Sequence, residues 1–132
     1  MKGKEILLSV RPKYALDILD GRKRYEYRRV IFSTSFNINK VYIYATAPVK
    51  KVVGEFKVVM VLSDTPQRIC ELTHRWGGIG KEDFFEYFKG ADKAYAIRIK
   101  DVVRYDTPII LTCRPPQSFR YIDALNEISQ RP

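Results

Sequence analysis

A cluster of charged and aromatic side chains between residues 21 and 29 holds the residue types best suited to ligand binding or catalysis. The segment reads GRKRYEYRR, and it combines Lys23, Arg24 and Arg28 with the carboxylate of Glu26. Guanidinium groups bind phosphates and base edges through paired hydrogen bonds, and a neighbouring carboxylate can orient them or act as a general base. The segment therefore predicts a site for an anionic or nucleotide-like ligand.

The segment is predicted to form a strand, in which side chains alternate between two faces. Arg24, Glu26 and Arg28 then share one face, with one carboxylate between two guanidinium groups. Lys23 shares the other face with the two tyrosines, which we expect in the core. The alternative is an exposed edge strand whose charges form solvent-screened ion pairs of little energetic value.

Two elements before this segment are expected to position it. An apolar run at residues 5–10 predicts a first strand, and Pro12 suits the first turn of the helix that follows. Gly21 can adopt the left-handed conformation that ends such a helix. The helix therefore delivers Lys23 close to its C-terminal end, where unpaired carbonyl groups favour a cation.

The segment and its surroundings resemble the ASCH domain (activating signal cointegrator homology) of the PUA-like superfamily. The family signature is a glycine, a lysine two residues on, then a glutamate and an arginine, matched here by Gly21, Lys23, Glu26 and Arg28. The lead-in SVRP at residues 9–12 and the segment PPQSFRY at 115–121 also resemble parts of family members. The resemblance implies binding of RNA, or of a modified base or nucleoside, in a cleft beside the helix and the basic strand.

The ligand-binding residues predicted on this basis are Arg11, Lys23, Arg24, Glu26, Arg28 and Trp76. Lys23 and Arg28 would meet phosphate or a base edge, and Glu26 would hold Arg28 or accept a hydrogen bond from a base amino group. Trp76 follows a predicted helix and precedes a glycine corner, where it can line a pocket. Alanine at Lys23, Glu26 or Arg28 is expected to disrupt binding while leaving folding largely intact.

An enzyme is the first alternative. Some small ASCH proteins are similar to amidohydrolases that deacetylate N4-acetylcytidine with a lysine, a threonine and a glutamate. Lys23 matches the lysine, but Glu26 occupies the position of the threonine, so that nucleophile is missing. An active enzyme would need Glu26 as general base for water beside a Lys23 of lowered pKa, with Glu71, Glu82 or Glu86 as the second carboxylate.

A second alternative is a regulatory module that binds a small anionic ligand or a protein. A ribonuclease with paired histidines is excluded, because His74 is the only histidine. The sequence favours a binding module over an enzyme. It leaves open which RNA or ligand binds, whether turnover occurs, and the oligomeric state.

Composition sets further limits. The 132 residues, 45% of them hydrophobic, suit a single domain over residues 1–132. The net charge is +9, and residues 1–29 carry nine Lys or Arg against four Asp or Glu, which favours RNA as a partner.

Without an apolar run of about 18 residues or a secretory signal, we expect a cytoplasmic protein with no membrane partner. Cys70 and Cys113 have no ligand spacing, so we expect free thiols and neither a metal nor a cofactor.

The rest of the chain supplies the predicted framework. Further strands are expected at residues 40–46, 52–62, 94–103 and 109–111, and helices from Pro66, over 81–89 and from Ile122. Phe32 and Phe36 are expected to anchor the loop at 30–38, Gly54 to mark a bend or bulge, and residues 77–80 to form a flexible corner. The predicted fold class is α+β, a small partly closed mixed β-barrel with peripheral helices. The resemblance adds that this barrel is PUA-like.

Overall fold

Residues 4–33 and 37–130 are described by a computed structural model. Their strands are β1 (Lys4–Val10), β2 (Tyr25–Arg28), β3 (Ile38–Ala45), β4 (Lys51–Asp64), β5 (Ala94–Leu111), β6 (Phe119–Ile122) and β7 (Ser129–Gln130). Their helices are α1 (Pro12–Leu19), α2 (Pro66–Thr73) and α3 (Lys81–Tyr87), with short 3₁₀ helices at His74–Trp76 and Leu125–Glu127. Phe36 lies outside the described residues.

The strands form one mixed sheet in the order β2-β5-β4-β3-β1-β6, and β7 pairs with β5. β1 and β3 run parallel, and the other paired strands run antiparallel. The sheet curls into a half-barrel accompanied by the three α-helices. The predicted α+β class, a small partly closed mixed barrel with peripheral helices, is therefore confirmed.

The strand–helix–strand unit at the start of the chain follows from local signals. Pro12 occupies the first turn of α1, and Ala15 and Ile18 bury one side of this helix. Gly21 has φ of +79°, the left-handed conformation that glycine adopts without steric cost. The turn leads directly into β2, as the sequence predicts.

The helices on the other side of the site also begin and end at recognisable residues. The hydroxyl of Thr65 accepts a hydrogen bond from the backbone N–H of Arg68 at 3.2 Å, which caps α2. Gly90 follows α3 with φ of +82°. Between these helices the chain turns through Trp76 and Gly77, so both residues lie beside the segment that enters β2.

Gly54 lies where β4 changes register against both β3 and β5. A Cβ atom at this position would lie 2.5 Å from the carbonyl oxygen of Val103 and 2.6 Å from Cδ2 of Leu19. Only glycine allows β5 and α1 to approach this closely. The bend or bulge predicted at Gly54 is therefore confirmed.

Two predictions from the sequence are wrong in detail. The run at 109–111 is not a separate strand, because β5 continues through it. No α-helix starts at Ile122, which ends β6, and only a 3₁₀ helix follows at Leu125. Along β4, a register shift between Val58 and Met60 changes which residues point inward, and Met60 is 45% exposed.

β2 lies at the boundary between two apolar clusters. Glu26 pairs in register with Ile97, which belongs to the cluster packed against α1. Tyr27 pairs with Ala96, and both belong to the cluster beneath α2 and α3. Successive side chains of β2 therefore reach two different regions of the interior.

Among residues 4–33 and 37–130, none of the helices combines the length and apolar character needed to cross a lipid bilayer.

Candidate functional site

A cavity of about 970 Å³ opens between β2, the end of β1, α1 and α3. Its wall is formed by residues 9–11, 14, 23, 26–30, 46, 79, 83, 86–87 and 117–118. Pockets for small organic ligands have volumes of about 300 to 1,000 Å³. Four of the six predicted ligand-binding residues line this cavity, namely Arg11, Lys23, Glu26 and Arg28.

Lys23 lines the cavity although only 2% of it is exposed to solvent. Its ammonium group donates a hydrogen bond to the carbonyl oxygen of Gly77 and lies 3.8 Å from Oε1 of Glu26. The same nitrogen lies 4.7 Å from the ring centroid of Tyr27 and 5.3 Å from that of Tyr14, within cation–π range. A carbonyl, a carboxylate and two aromatic faces thus take the place of water around this cation.

The protonation of Lys23 is sensitive to this environment. Burial lowers the pKa of Lys23 below its ordinary value, and the nearby carboxylates of Glu26 and Asp17 oppose part of that shift. A buried amine of lowered pKa can exchange a proton with a ligand more readily than a surface lysine can. Lys23 is therefore able to act as a hydrogen-bond donor and, when neutral, as a base.

Glu26 lies between a lysine and an arginine. It is 5% exposed, and its Oε2 lies 3.4 Å from Nη1 of Arg28. The predicted contact between Glu26 and Arg28 is confirmed, and the alternative of a charged strand in solvent is wrong for Glu26, which is buried. The prediction that Glu26 sits between two guanidinium groups is also wrong, because Lys23 occupies the second position.

Lys23 lies two residues before the start of β2, so the alternation of side chains along the strand does not determine which way its side chain points. The Lys23 side chain can therefore reach Glu26. The backbone N–H of Lys23 still donates to the carbonyl oxygen of Asp17 at 3.1 Å, as part of the turn that follows α1. The turn directs the lysine side chain into the same cavity as the glutamate.

Arg28 joins β2 to two distant parts of the chain. Its Nη1 donates to the carbonyl oxygen of Ser9 at 3.1 Å, and its Nη2 donates to Oγ of Ser118. The Ser9 hydroxyl in turn donates to the carbonyl oxygen of Pro116 at 2.6 Å. These bonds fix the guanidinium plane and hold the segment before β6 against the cavity.

Tyr27 supports the cavity wall from the core side. The Thr73 hydroxyl donates to the carbonyl oxygen of Ile69 at 2.6 Å, so the Tyr27 hydroxyl must donate in the 2.7 Å contact between Tyr27 and Thr73. Burial raises the pKa of Tyr27 to about 12. The phenol proton therefore points into the core and is held there at neutral pH.

The corner at Gly77 and Gly78, within the stretch that the sequence predicts to be flexible, is packed against the site. A Cβ atom at Gly77 would overlap the hydroxyl of Tyr27, and one at Gly78 would lie 2.8 Å from Cβ of Lys23. Gly78 also has φ of +67°. The glycines therefore allow the backbone to contact Lys23 and Tyr27 closely.

Arg24 and Trp76, the other two predicted ligand-binding residues, do not line the cavity. The guanidinium carbon of Arg24 lies 4.4 Å from the ring centroid of Trp76, and the backbone N–H of Arg24 donates to the carbonyl oxygen of Trp76 at 2.8 Å. Trp76 is 45% exposed. The two residues thus form a stacked pair on the surface, next to the cavity.

Sequence reasoning missed much of the cavity rim. Nη1 of Arg29 donates to the carbonyl oxygens of Tyr87 and Lys89 at 2.8 and 3.0 Å, which links β2 to the end of α3. Tyr87 lines the cavity and is 39% exposed, although the aromatic composition of α3 favours a core position for it. Among the three glutamates proposed as a second carboxylate, Glu86 alone lines the cavity.

The cavity wall is close to electrically balanced. It carries four cationic and three anionic side chains, namely Arg11, Lys23, Arg28, Arg29, Glu26, Asp83 and Glu86. Such a wall suits a ligand that both donates and accepts hydrogen bonds better than it suits a polyanion. In the described part of the chain, no group of three or more His, Cys, Asp or Glu side chains is arranged to hold a metal ion.

Comparison with known proteins places this chain in a family, although no protein-family profile matches it. The large ribosomal subunit protein uL22 of Ureaplasma parvum is 32% identical in an alignment 124 residues long, which covers 89% of this chain and 39% of that protein. The chain therefore spans about two fifths of the length of these uL22 relatives. An ASCH domain-containing ribonuclease of Zymomonas mobilis is 30% identical over 98 residues, 74% of this chain and 66% of the relative.

Solved structures agree with these sequence relationships. The crystal structure of ASCH from Zymomonas mobilis superposes with a TM-score of 0.84 and 26% identity, covering 97% of each chain. A variant of that protein superposes with a TM-score of 0.83 and 27% identity, covering 94% of this chain and 92% of the other. The shared sequence and fold show that this chain belongs to the ASCH domain family, which has the PUA-like fold.

Proposed function

We propose that this chain is an RNA-binding module that holds one unpaired nucleotide, or a modified nucleoside, in the cavity beside β2. The observation that carries the proposal is the row formed by Lys23, Glu26 and Arg28, which lines a cavity of ligand size. Burying charged groups costs free energy unless they are well paired. Shielded charges of both signs beside a cavity are typical of a ligand site.

The buried row offers the hydrogen-bonding groups that a base edge requires. A carboxylate can accept about four hydrogen bonds, and the contacts of Glu26 with Lys23 and Arg28 are long, at 3.8 and 3.4 Å. Glu26 therefore retains the capacity to accept a hydrogen bond from an exocyclic amino group. Tyr14 and Tyr87 supply aromatic surface at the wall, against which an unpaired base can pack.

Phosphate contacts are assigned to the basic residues at the edge of the cavity. Arg11 and Arg29 are exposed members of the cavity wall, and the whole chain has a net charge of +9. Two relatives carry names that involve RNA, one as a ribonuclease and one as a ribosomal protein. These names support RNA as the class of ligand.

An amidohydrolase acting on a modified nucleoside such as N4-acetylcytidine is the second candidate. The observation that favours it is the lowered pKa of Lys23 beside the carboxylate of Glu26. In this scheme Glu26 takes a proton from water, the resulting hydroxide attacks the amide carbonyl, and Lys23 donates a proton to the departing amine. Glu86 supplies a second carboxylate at the same cavity.

Binding and chemistry can be tested with the same purified protein. The protein is titrated with a single-stranded RNA pool and with N4-acetylcytidine over a series of salt concentrations, and the nucleoside sample is then analysed for cytidine. RNA binding should weaken as salt rises, with a slope of about −0.7 per phosphate contact for single strands. Arg28→Ala should lower RNA affinity about tenfold through loss of a charge-assisted hydrogen bond.

Lys57→Ala is the matched control, because Lys57 is an exposed cation on β4, two strands away from β2. An equal loss in the Lys57 and Arg28 variants would contradict a local site. Release of cytidine that depends on Lys23 would instead support the amidohydrolase. If neither RNA nor the nucleoside binds, a small anionic ligand or a protein becomes the leading partner.

A further inference from the structure

The stacked pair Arg24 and Trp76 lies on the surface next to the cavity and has no role in lining it. Trp76 is the only tryptophan of the chain, and nearly half of it remains open to solvent despite the contact with Arg24. A large aromatic ring in this state provides a flat surface on which another planar group can stack.

The surroundings of this pair are strongly cationic. Arg22 and Arg75 are also exposed and lie within two residues of Arg24 and one residue of Trp76 along the chain. Within residues 4–33 and 37–130, no ion pair is formed by Arg22, Arg24 or Arg75. The charges here are therefore available to phosphate groups, in contrast to the balanced charges of the cavity wall.

The pair and the cavity are joined through consecutive residues. The Lys23 side chain lines the cavity, and the side chain of the next residue, Arg24, lies outside it. The Gly77 carbonyl accepts a hydrogen bond from the Lys23 ammonium group, and the Trp76 carbonyl accepts one from the backbone N–H of Arg24. Consecutive Cα atoms are about 3.8 Å apart. An RNA chain that extends out of the cavity on this side therefore meets the Trp76 ring within a very short distance.

The geometry points to a second RNA contact at Arg24 and Trp76, where an unpaired base that flanks the nucleotide in the cavity stacks on the indole. This inference rests on the proposed RNA-binding function and extends it to single-stranded RNA longer than one nucleotide. Every base has a flat aromatic face, so this contact tolerates different sequences. A duplex offers no such face except at its ends, so the contact discriminates in favour of unpaired RNA.

The fluorescence of Trp76 tests the inference directly. Wild-type protein is titrated with a short single-stranded oligocytidylate, with the same RNA annealed to its complement, and with cytidine 5′-monophosphate, while heat release on binding is measured in parallel. The single-stranded RNA should change the emission of Trp76. The duplex and the mononucleotide should leave it almost unchanged.

Variants separate the stacking contact from the cavity. Trp76→Ala should lower affinity for the oligocytidylate about tenfold, and Trp76→Phe should retain most of it. Neither should change the affinity for the mononucleotide. Arg24→Ala should reduce the salt slope by about 0.7, as expected for one lost phosphate contact, whereas Lys57→Ala should not. Circular dichroism and thermal unfolding establish that each variant is folded.

Failure of the inference is distinct from failure of the proposed cavity. Oligocytidylate binding without a change in Trp76 emission, and with equal affinity in Trp76→Ala, would overturn the stacking contact. The same emission change with duplex RNA would overturn it as well. If Arg28→Ala binds the oligocytidylate as wild type does while Trp76 still responds, the stacking contact stands and the cavity proposal fails.

Discussion

The ammonium group of Lys23 lies 3.8 Å from the carboxylate of Glu26, three residues further along the chain, and both side chains are shielded from solvent. Arg68 and Glu71 have the same spacing on α2 and lie 3.3 Å apart, but both are exposed. The two pairs therefore separate the effect of burial from the effect of spacing.

Glu26→Gln should lower the free energy of unfolding by about 3 kcal/mol, because it removes one partner of a buried ion pair. Lys23→Met should also destabilise, and the double variant should lose about 1 to 3 kcal/mol less than the sum of the single losses. Urea unfolding measures all three. The exposed pair is the control, since Arg68→Met and Glu71→Gln should each cost less than about 1 kcal/mol. Additive losses in the Lys23 and Glu26 variants would contradict the coupling.

Lys23 should also make stability depend on alkaline pH. Burial lowers its pKa in the folded protein below the value of about 10.4 in an unfolded chain. Between these two pKa values the unfolded chain binds more protons than the folded protein, so the free energy of unfolding should rise with pH. Lys23→Met should flatten this rise in urea unfolding measured at a series of pH values. Identical profiles for the variant and the wild type below about pH 10 would refute the assignment.

Tyr27 should have the opposite effect on stability at higher pH, lowering the free energy of unfolding as pH rises. Its pKa is raised to about 12, so above about pH 10 the folded protein keeps a proton that the unfolded chain has released. The free energy of unfolding should therefore fall as pH rises toward about 12. Tyr27→Phe should reduce the fall without abolishing it, because burial also raises the pKa of Tyr42 and Tyr105. An unchanged fall in Tyr27→Phe would show that Tyr27 does not contribute.

Gly77→Ala should destabilise the protein by about 1 to 3 kcal/mol, because its Cβ would overlap the hydroxyl of Tyr27 in a packed region. Gly80→Ala is the matched control, since no atom lies within 4 Å of its added Cβ, and it should change stability by less than about 1 kcal/mol. Thermal unfolding compares the two. Combining Gly77→Ala with Tyr27→Phe should recover part of the loss, and equal stability of the two glycine variants would argue against the close contact.

Arg28→Lys should separate the charge of Arg28 from its geometry. Lysine keeps the charge but cannot span the carbonyl of Ser9 and the hydroxyl of Ser118 at once. RNA affinity should therefore fall about tenfold while the salt slope stays the same, whereas Arg28→Ala should lower affinity and reduce the slope by about 0.7 if Arg28 meets a phosphate. Wild-type affinity in Arg28→Lys would show that charge alone is sufficient.

The elements around the site could be predicted because short-range signals define them. Pro12 and Gly21 bound the first helix, and Thr65 caps the second. The contact between Glu26 and Arg28 follows from two-residue spacing on a strand. The sequence alone predicts that alanine at Lys23 or Glu26 leaves folding largely intact, whereas the burial of both side chains leads to the opposite expectation.

Contacts between distant segments could not be predicted in the same way. The Gly77 carbonyl lies 54 residues from Lys23, and Ser118 lies 90 residues from Arg28, so no local pattern encodes either contact. The Arg24 guanidinium stacks on the Trp76 ring and does not lie beside Glu26. Trp76 comes close to Arg24 only when α2 packs beside β2. The glycine corner signals a turn, but its contact with Lys23 depends on the complete fold.

The hydrogen bonds that Ser9 and Arg28 make with Pro116 and Ser118 span 107 and 90 residues of sequence. A ribosome makes the N-terminal partners first, and these bonds cannot form until the later segment has left the exit tunnel. A nascent chain that already contains the whole basic segment still lacks one wall of the cavity. The order of synthesis therefore delays completion of the cavity wall until Pro116 and Ser118 have emerged from the ribosome, long after the basic segment has done so.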